Sequence, residues 1–133
     1  MSRRTILYVE DEQWLMEGIV DYLSQNYNII RARNADKALK FIESSEYRID
    51  LILLDIMMPQ GTRIQTSDHG RTSGVEFARV LREELKLNLP IVCYTVVVDR
   101  AIHNELRRIG VQEIVSKKRL PSELDEVIRK YIR

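Results

Sequence analysis

The sequence has little of several features that would mark a specialised class of protein. Its 133 residues include a single cysteine, so no internal disulfide can form, and Cys93 lies in an apolar run where we expect it to be buried. Basic and acidic residues nearly balance, at 21 and 20, which gives no electrostatic reason for direct binding to nucleic acid. No apolar run approaches the ~18 residues of a membrane span, and no signal peptide precedes the first strand pattern. We therefore expect one cytoplasmic domain over residues 1–133, without nucleic acid or membrane as partner.

Five apolar runs have the length and composition of β-strands, and amphipathic helix patterns lie between and after them. The predicted strands cover about residues 5–9, 28–32, 50–54, 90–95 and 111–116. Strands that alternate with helices in this way indicate a parallel sheet with helices on both faces. We therefore predict an α/β fold with a doubly wound, five-stranded parallel sheet and five helices.

Helix periodicity adds detail in the last third of the chain. The apolar stripe of the fifth helix is predicted to begin at Leu120. Asp99, and either Pro121 or Ser122, stand where the N-cap or the first turn of a helix belongs. His103 has charged neighbours in the fourth helix, so we expect it on the solvated face of that helix.

Acidic residues follow two of the predicted strands at the point where each strand ends. Glu10 and Asp11 come directly after the first strand, and Asp55 comes directly after the third. Open parallel sheets bind ligands in the crevice outside the carboxyl ends of their strands, so these three side chains are expected to share one pocket. Crowded carboxylates raise one another's pKa unless a cation lies among them, and oxygen ligands of this kind suit magnesium.

One segment, from about residue 60 to residue 73, has neither a helix nor a strand period. It contains two glycines and one isolated apolar residue, Ile64, and it begins directly after the acidic pocket. A connection of this length in a compact domain is usually functional or disordered. We expect a mobile loop, and because no apolar stripe includes residues 62–71, we expect the fold to survive their deletion.

Four short motifs occur in order, each at the end of a predicted strand. They comprise residues 6–12 with their acidic pair, residues 55–59, residues 90–95 with a terminal threonine, and residues 110–117 with a terminal lysine. In this order they resemble the receiver domain of two-component response regulators, over essentially the whole chain. The resemblance implies the flavodoxin-like receiver fold.

The resemblance also implies a reaction, the transfer of a phosphoryl group to Asp55 from a sensor histidine kinase or a phosphotransfer protein. Attack by a carboxylate on phosphorus brings anions together, so positive charge must neutralise the phosphoryl oxygens in the transition state. Lys117 would pair with the phosphoryl group, and Thr95 would hydrogen-bond to it. The domain would be a signalling switch, and enzymatic only in catalysing its own phosphorylation and dephosphorylation.

A magnesium site is the second implication of the resemblance. Asp11 and Asp55 would be direct ligands, Met57 would bind through its backbone carbonyl, and Glu10 would act through a water molecule. Met57 and Val97 would border the path of the water that hydrolyses the acyl phosphate. Because both side chains are apolar, we expect slow hydrolysis.

The resemblance also implies partners, which the sequence does not identify. A downstream protein partner, or an effector domain fused to the receiver, would read the phosphorylated state. Receiver domains often pair through the surface formed here by about residues 99–132, so a homodimer is also expected to be accessible to this chain.

Three departures from the family pattern stand beside these matches. Ile114 occupies the position of the usual switch aromatic. Lys118 follows the lysine where the family usually has a proline in a cis bond, and we expect a trans bond there because a non-proline cis bond costs about 2.5–4 kcal/mol. The loop after residue 59 is longer than usual by about ten residues.

These departures leave two alternative functions open. A pseudo-receiver would keep the fold and bind a partner independently of phosphate. A magnesium-dependent hydrolase with an aspartyl nucleophile is disfavoured, because that class expects a second acid where Met57 stands.

Overall fold

The computed structural model describes residues 3–58, 64 and 72–132, without the side chains of residues 13–16. The strands are β1 (Thr5–Val9), β2 (Asn28–Ala32), β3 (Leu51–Leu54), β4 (Ile91–Thr95) and β5 (Glu113–Ser116). The helices are α1 (Gln13–Leu23), α2 (Ala35–Glu43), α3 (Ser73–Arg79), α4 (Arg100–Ile109) and α5 (Pro121–Arg129), and α3 continues into a π-helical turn over Val80–Glu84. In this described part of the chain, no helix combines the length and the apolar character needed to cross a bilayer.

All five strands form one parallel sheet in the order β2-β1-β3-β4-β5. The strand order reverses at β1, which pairs with β2 on one side and with β3 on the other. Open parallel sheets bind ligands beyond the carboxyl ends of the strands at such a reversal. The predicted fold class, a doubly wound five-stranded parallel sheet with five helices, is confirmed.

Helices cover both faces of the sheet and create two hydrophobic cores. On one face, α2, α3 and α4 contribute Leu39, Phe77 and Leu106. On the other face, α1 and α5 contribute Leu23 and Leu124. Every residue of β3 and β4 is buried, which explains why these strands are nearly continuous apolar runs without polar alternation.

The predicted helix caps agree with the structure, with one correction. The Asp99 carboxylate accepts hydrogen bonds from the N–H groups of Ala101 and Ile102, at 2.8 and 3.3 Å, and so caps α4. Pro121 is the first residue of α5. The predicted start of the α5 stripe at Leu120 is wrong, because Leu120 precedes the helix and is 63 % exposed.

The connection between β3 and α3 contains the predicted loop of residues 60–73. Residues 59–63 and 65–71 lie outside the described residues, so the expected mobility of the loop stays a prediction. Ile64 is buried, with 2 % of its surface exposed, and belongs to the core beneath α2, α3 and α4. The expectation that residues 62–71 contribute nothing to the core is therefore wrong at Ile64, because deleting that residue would empty its place in the core.

Helix α3 begins in close contact with the chain that leaves β3. The N–H of Gly74 donates a hydrogen bond to the carbonyl oxygen of Ile56 at 2.8 Å. A β-carbon on Gly74 would lie 2.3 Å from the Asp55 carbonyl oxygen and 2.6 Å from the Ile56 α-carbon, and both are backbone atoms. Only glycine allows this approach, which holds the segment after Asp55 against α3.

Gly18 presents the opposite case in the middle of α1. A β-carbon on Gly18 would have no heavy atom of the described residues within 4 Å, and glycine inside a helix costs about 0.5–1 kcal/mol relative to alanine. We expect Gly18→Ala to raise the free energy of unfolding by about 0.5–1 kcal/mol. Gly74→Ala is expected to lower the free energy of unfolding by about 1–3 kcal/mol. Urea titrations followed by circular dichroism compare both variants with the wild type, and an unchanged or lower stability of Gly18→Ala would contradict the open space above that residue.

Candidate functional site

The acidic side chains lie at the carboxyl ends of β1 and β3, where the strand order reverses. Val9 and Leu54 are paired in register, so Glu10 and Asp55 leave the sheet side by side. The N–H of Asp55 donates to the Val9 carbonyl oxygen at 3.1 Å, and the N–H of Glu10 donates to the β2 carbonyl of Ala32 at 3.0 Å. These bonds extend the sheet by one residue and fix the direction in which both carboxylates leave it.

Three carboxylates meet at this edge of the sheet. One oxygen from each of Glu10, Asp11 and Asp55 lies within 4.8 Å of the other two. Glu10 is fully buried and Asp55 is 6 % exposed. The predicted gathering of these three side chains into one pocket is present in the structure.

Lys117 brings a positive charge to the same pocket from the end of β5. Its Nζ contacts Glu10 Oε2 and lies 3.1 Å from Asp55 Oδ2. Its backbone N–H donates to the Thr95 carbonyl oxygen at 3.0 Å, which fixes Lys117 beside the end of β4. The Lys117 side chain is 11 % exposed, whereas Lys118 is exposed.

The electrostatics of the pocket reflect an excess of negative charge. Burial raises the pKa of Glu10 to about 7; the Asp55 charge adds to this rise and the hydrogen bond from Lys117 opposes it. Burial lowers the pKa of Lys117, but its contacts with Glu10 and Asp55 outweigh burial, so that pKa is raised. Among the described residues, three carboxylates face one ammonium group. This donor set fits a divalent cation that prefers oxygen ligands.

The two buried carboxylates differ in how their oxygens are used. Glu10 Oε1 accepts hydrogen bonds from the N–H groups of Asp11 and Glu12, at 3.1 and 3.3 Å, and its other oxygen contacts Lys117. Asp55 Oδ1 has the N–H of Met57 at 3.4 Å, which is a long contact. Glu10 is therefore hydrogen-bonded at both oxygens, whereas Asp55 Oδ1 has only this long contact among the described residues.

The rim of the pocket is apolar where the chain leaves β3 and β4. Met57 is 45 % exposed and Val96 is 60 % exposed. Thr95 is buried at the end of β4, and its Oγ1 accepts a hydrogen bond from the N–H of Val97 at 3.1 Å. The proposed role of the Met57 carbonyl as a metal ligand stays a prediction.

Comparison with known proteins identifies the family of this chain. The family model described as the response regulator receiver domain matches residues 6–129 of the chain. The chain belongs to the response regulator receiver domain family. Receiver domains are signalling switches, and the cluster of Glu10, Asp11 and Asp55 fits their phosphoacceptor site.

Two relatives illustrate the range of proteins that contain such a receiver domain. The polar-differentiation response regulator DivK of Brucella anthropi is 27 % identical over 131 residues, which cover 97 % of this chain and 96 % of DivK. The phosphate regulon transcriptional regulatory protein PhoB of Pseudomonas aeruginosa is 32 % identical over 126 residues, which cover 93 % of this chain and 49 % of PhoB. The chain therefore spans nearly all of DivK and about half of PhoB.

Solved structures agree on the receiver fold. A CheY-like response regulator receiver domain protein from Methanospirillum hungatei superimposes with a TM-score of 0.81 at 21 % identity, covering 97 % of this chain and 93 % of that protein. The chemotaxis protein CheY4 of Vibrio cholerae gives a TM-score of 0.78 at 20 % identity, covering 98 % and 100 %. At these identities the likeness establishes the fold.

The departures of this receiver domain from the family pattern can be located in the structure. The described backbone contains no cis peptide bond, so the Lys117–Lys118 bond is trans, as expected. Ile114 lies on β5 and packs partly buried against the core. The expectation that His103 belongs to a solvated face is wrong, because its side chain is half-buried and its Nε2 lies 2.8 Å from the Val97 carbonyl oxygen.

Sequence patterns also missed Ser73, which holds the chain beyond Asp55. Its buried Oγ accepts a hydrogen bond from the Met58 N–H at 3.0 Å and donates one to the Met58 carbonyl oxygen at 2.7 Å. Ser73 lies at the end of the aperiodic segment, so periodicity gave no signal for it. A serine directly before a glycine at the start of the next helical pattern is the local signal that could have found it.

Proposed function

We propose that this receiver domain accepts a phosphoryl group on Asp55 from a sensor histidine kinase or a phosphotransfer protein, with Mg²⁺, and switches a protein-interaction surface. The observation that carries the proposal is the contact of Lys117 Nζ with both Glu10 and Asp55 beside a third carboxylate, at the carboxyl edge of the sheet. This arrangement supplies a nucleophile, a cation partner and ligands for a metal in one pocket.

The proposed reaction forms one bond and breaks another at phosphorus. A carboxylate oxygen of Asp55 attacks, the bond from phosphorus to the donor's imidazole nitrogen breaks, and an acyl phosphate results. Lys117 moves from the paired carboxylates to the phosphoryl oxygens, which carry more negative charge than Asp55 alone. Thr95, buried at the end of the neighbouring strand, donates its hydroxyl hydrogen to a phosphoryl oxygen.

Mg²⁺, when bound, supplies positive charge that neutralises the phosphoryl oxygens during transfer. We propose Asp11 and Asp55 as its direct ligands, with the Met57 carbonyl as a third protein ligand. Glu10 would act through water, which agrees with the hydrogen bonds that already occupy both of its carboxylate oxygens.

Intact-protein mass spectrometry tests the proposed function. The protein is incubated with a small phosphodonor such as acetyl phosphate, with magnesium in one sample and with a chelator in the other. We expect one added phosphoryl group per chain with magnesium and none with the chelator. An unmodified protein at saturating donor and magnesium would reject the proposal.

Magnesium binding itself is expected to depend on Asp11. Trp14 lies three residues after Asp11 in the sequence, and its fluorescence provides the readout. We expect a saturable fluorescence change with magnesium, and Asp11→Asn should weaken binding by about tenfold or more, since even indirect contacts to a metal contribute that much.

A matched control for the magnesium titration is Asp21→Asn, which removes an exposed carboxylate from α1. This variant should bind magnesium like the wild type. A titration that is identical in Asp11→Asn and in the wild type would remove Asp11 from the set of ligands.

The phosphodonor is proposed to dock in a groove beside Lys117, between α1 and the start of α5. The groove is lined by Tyr8, Gly18, Ile19, Tyr94, Val96 and Pro121. The missing side chain at Gly18 leaves open space in its wall. Lys118 and Arg119 add basic groups to the lining of the groove, and Glu17 and Asp21 are exposed acidic residues of α1. An apolar helix of the donor with opposite charges on its two flanks would fit this groove.

If the groove is a docking site, blocking it should slow phosphorylation by protein donors but not by small phosphodonors. Gly18→Trp should slow phosphorylation by a histidine kinase or phosphotransfer protein by at least about tenfold, because loss of a docking contact of ~1.4 kcal/mol has that effect. Acetyl phosphate needs no docking surface and should phosphorylate the variant normally. Gly18→Ala serves as the control, and equal loss with both donors would contradict a docking role.

A pseudo-receiver that binds a partner independently of phosphate remains the second candidate. Ile114 favours it, because an aliphatic side chain replaces the aromatic whose rotation usually reports phosphorylation. The two candidates separate when a binding partner is titrated with phosphorylated and unphosphorylated protein, since only a phosphoacceptor switch changes the affinity. A hydrolase is not favoured, because Met57 supplies no second acid.

The remaining parts of the proposal concern the setting of the switch. We propose a cytoplasmic location, a downstream protein partner or a fused effector domain as reader, and a homodimer through about residues 99–132 as an accessible state. The domain would not turn over a separate substrate, and neither nucleic acid nor membrane would contact it directly. We also propose that residues 1–133 form a single receiver domain.

A further inference from the structure

His103 connects the loop that follows β4 to helix α4. Its Nε2 lies 2.8 Å from the carbonyl oxygen of Val97, and its side chain is half-buried. A carbonyl oxygen can only accept a hydrogen bond, so Nε2 carries the hydrogen and donates it. The backbone N–H of His103 meanwhile donates to the Asp99 carbonyl oxygen at 3.0 Å, within the first turn of α4.

Val97 is held from its other side by Thr95. The N–H of Val97 donates to Thr95 Oγ1 at 3.1 Å, and the Thr95 carbonyl oxygen accepts from the N–H of Lys117 at 3.0 Å. A continuous series of contacts therefore runs from the acidic pocket to α4, through Lys117, Thr95, Val97 and His103. Each residue in the series shares a hydrogen bond with the next.

Ile114 cannot take part in such a series, because its side chain contains only carbon and hydrogen. It lines a cavity between α4 and β5 together with Thr95, Val97 and His103. The cavity therefore leaves open space beside the His103 imidazole.

We propose that His103 is a positioning residue that fixes the loop after Thr95 and carries a displacement of Thr95 to α4. The proposal rests on the proposed phosphorylation of Asp55. When the Thr95 hydroxyl turns toward a phosphoryl group, Val97 follows through its N–H, and the Val97 carbonyl displaces His103 and the first turns of α4. The signal leaves the site through α4 and not through residue 114.

The first test uses the unphosphorylated protein and measures hydrogen exchange of the Val97 amide by NMR. His103→Gln places an amide N–H near the position of Nε2, whereas His103→Asn places it nearer Nδ1, too far back to reach Val97. We expect exchange in His103→Gln to resemble the wild type, and exchange in His103→Asn to be about fivefold faster, as for loss of one hydrogen bond. Circular dichroism checks that both variants are folded.

The second test adds acetyl phosphate and magnesium to the same three proteins. Mass spectrometry should find them equally phosphorylated, while amide chemical shifts across α4 should change in the wild type and His103→Gln but by less than half as much in His103→Asn. Failure of the wild type to be phosphorylated would reject the proposed function and the relay to α4, and the exchange test would still decide the positioning role. Equal Val97 exchange in all three proteins, or equal α4 shifts in all three phosphorylated proteins, would overturn the inference.

Discussion

Asp55→Asn is expected to reduce phosphorylation by acetyl phosphate to background. The amide keeps the size of the carboxylate but lacks its negative charge, and it is a far weaker nucleophile toward phosphorus. In this protein the loss is compounded, because Asp55 is also one of the three carboxylates that fit a cation and one of the two that contact Lys117. Intact-protein mass spectrometry after donor and magnesium measures the effect.

Asp50→Asn provides a matched control at the opposite end of the same strand. Asp50 Oδ2 accepts a hydrogen bond from the Thr5 N–H at 2.8 Å, and its carboxylate is paired with Arg4 at 3.5 Å. This variant should be phosphorylated like the wild type even if its stability falls. Labelling of Asp55→Asn at the level of Asp50→Asn would assign the phosphoryl group to another residue.

The acyl phosphate of the wild-type protein is expected to be long-lived. Hydrolysis needs a water in line with the bond between Asp55 and phosphorus, and the resemblance places Met57 and Val97 at that approach. Neither side chain can orient a water, and each ~1.4 kcal/mol added to the barrier slows hydrolysis tenfold. Met57→Asn and Val97→Glu supply polar groups there, so each should shorten the phosphorylated lifetime by about tenfold, measured as phosphate release after the donor is removed.

Val98→Glu is the control for the lifetime experiment. Val98 is 80 % exposed, and the resemblance places Val97, not Val98, at the approach of the water. The same substitution one residue further along should leave the lifetime unchanged. Equal lifetimes for the wild type, Met57→Asn and Val97→Glu would reject the proposed exclusion of water.

Most of the sheet could be predicted from the sequence because its strands are unusually unambiguous. Leu51–Leu54 is apolar at every position, a pattern that requires helices on both faces. The errors lie at boundaries and in isolated residues. Leu120 fits the apolar period of α5 in the sequence but precedes the helix. Ile64 is a single apolar residue, and its burial depends on distant parts of the chain.

The candidate site was predictable to the extent that it follows from the ends of strands. Glu10, Asp11 and Asp55 come together because parallel strands place their carboxyl ends at one edge. Lys117 could be confused with Lys118 in sequence, and the structure distinguishes them through the bond from the Lys117 N–H to Thr95.

Contacts between separate elements left no comparable signal in the sequence. Arg82 donates hydrogen bonds to the carbonyl oxygens of Leu87 and Gly110, at 2.8 and 3.1 Å, and Tyr27 donates to the buried Asp125 carboxylate at 2.8 Å. These partners lie up to 98 positions apart. Only the folded geometry identifies such pairs, and the same holds for His103.

Borohydride trapping tests the central claim most directly, because reduction of an aspartyl phosphate converts that aspartate into homoserine. The protein is treated with acetyl phosphate and magnesium, reduced with borohydride, digested and sequenced by tandem mass spectrometry. We predict homoserine at position 55, dependent on both donor and magnesium. Homoserine at another aspartate, or an intact Asp55 in protein that carries a phosphoryl group, would contradict the proposal that Asp55 is the phosphoacceptor.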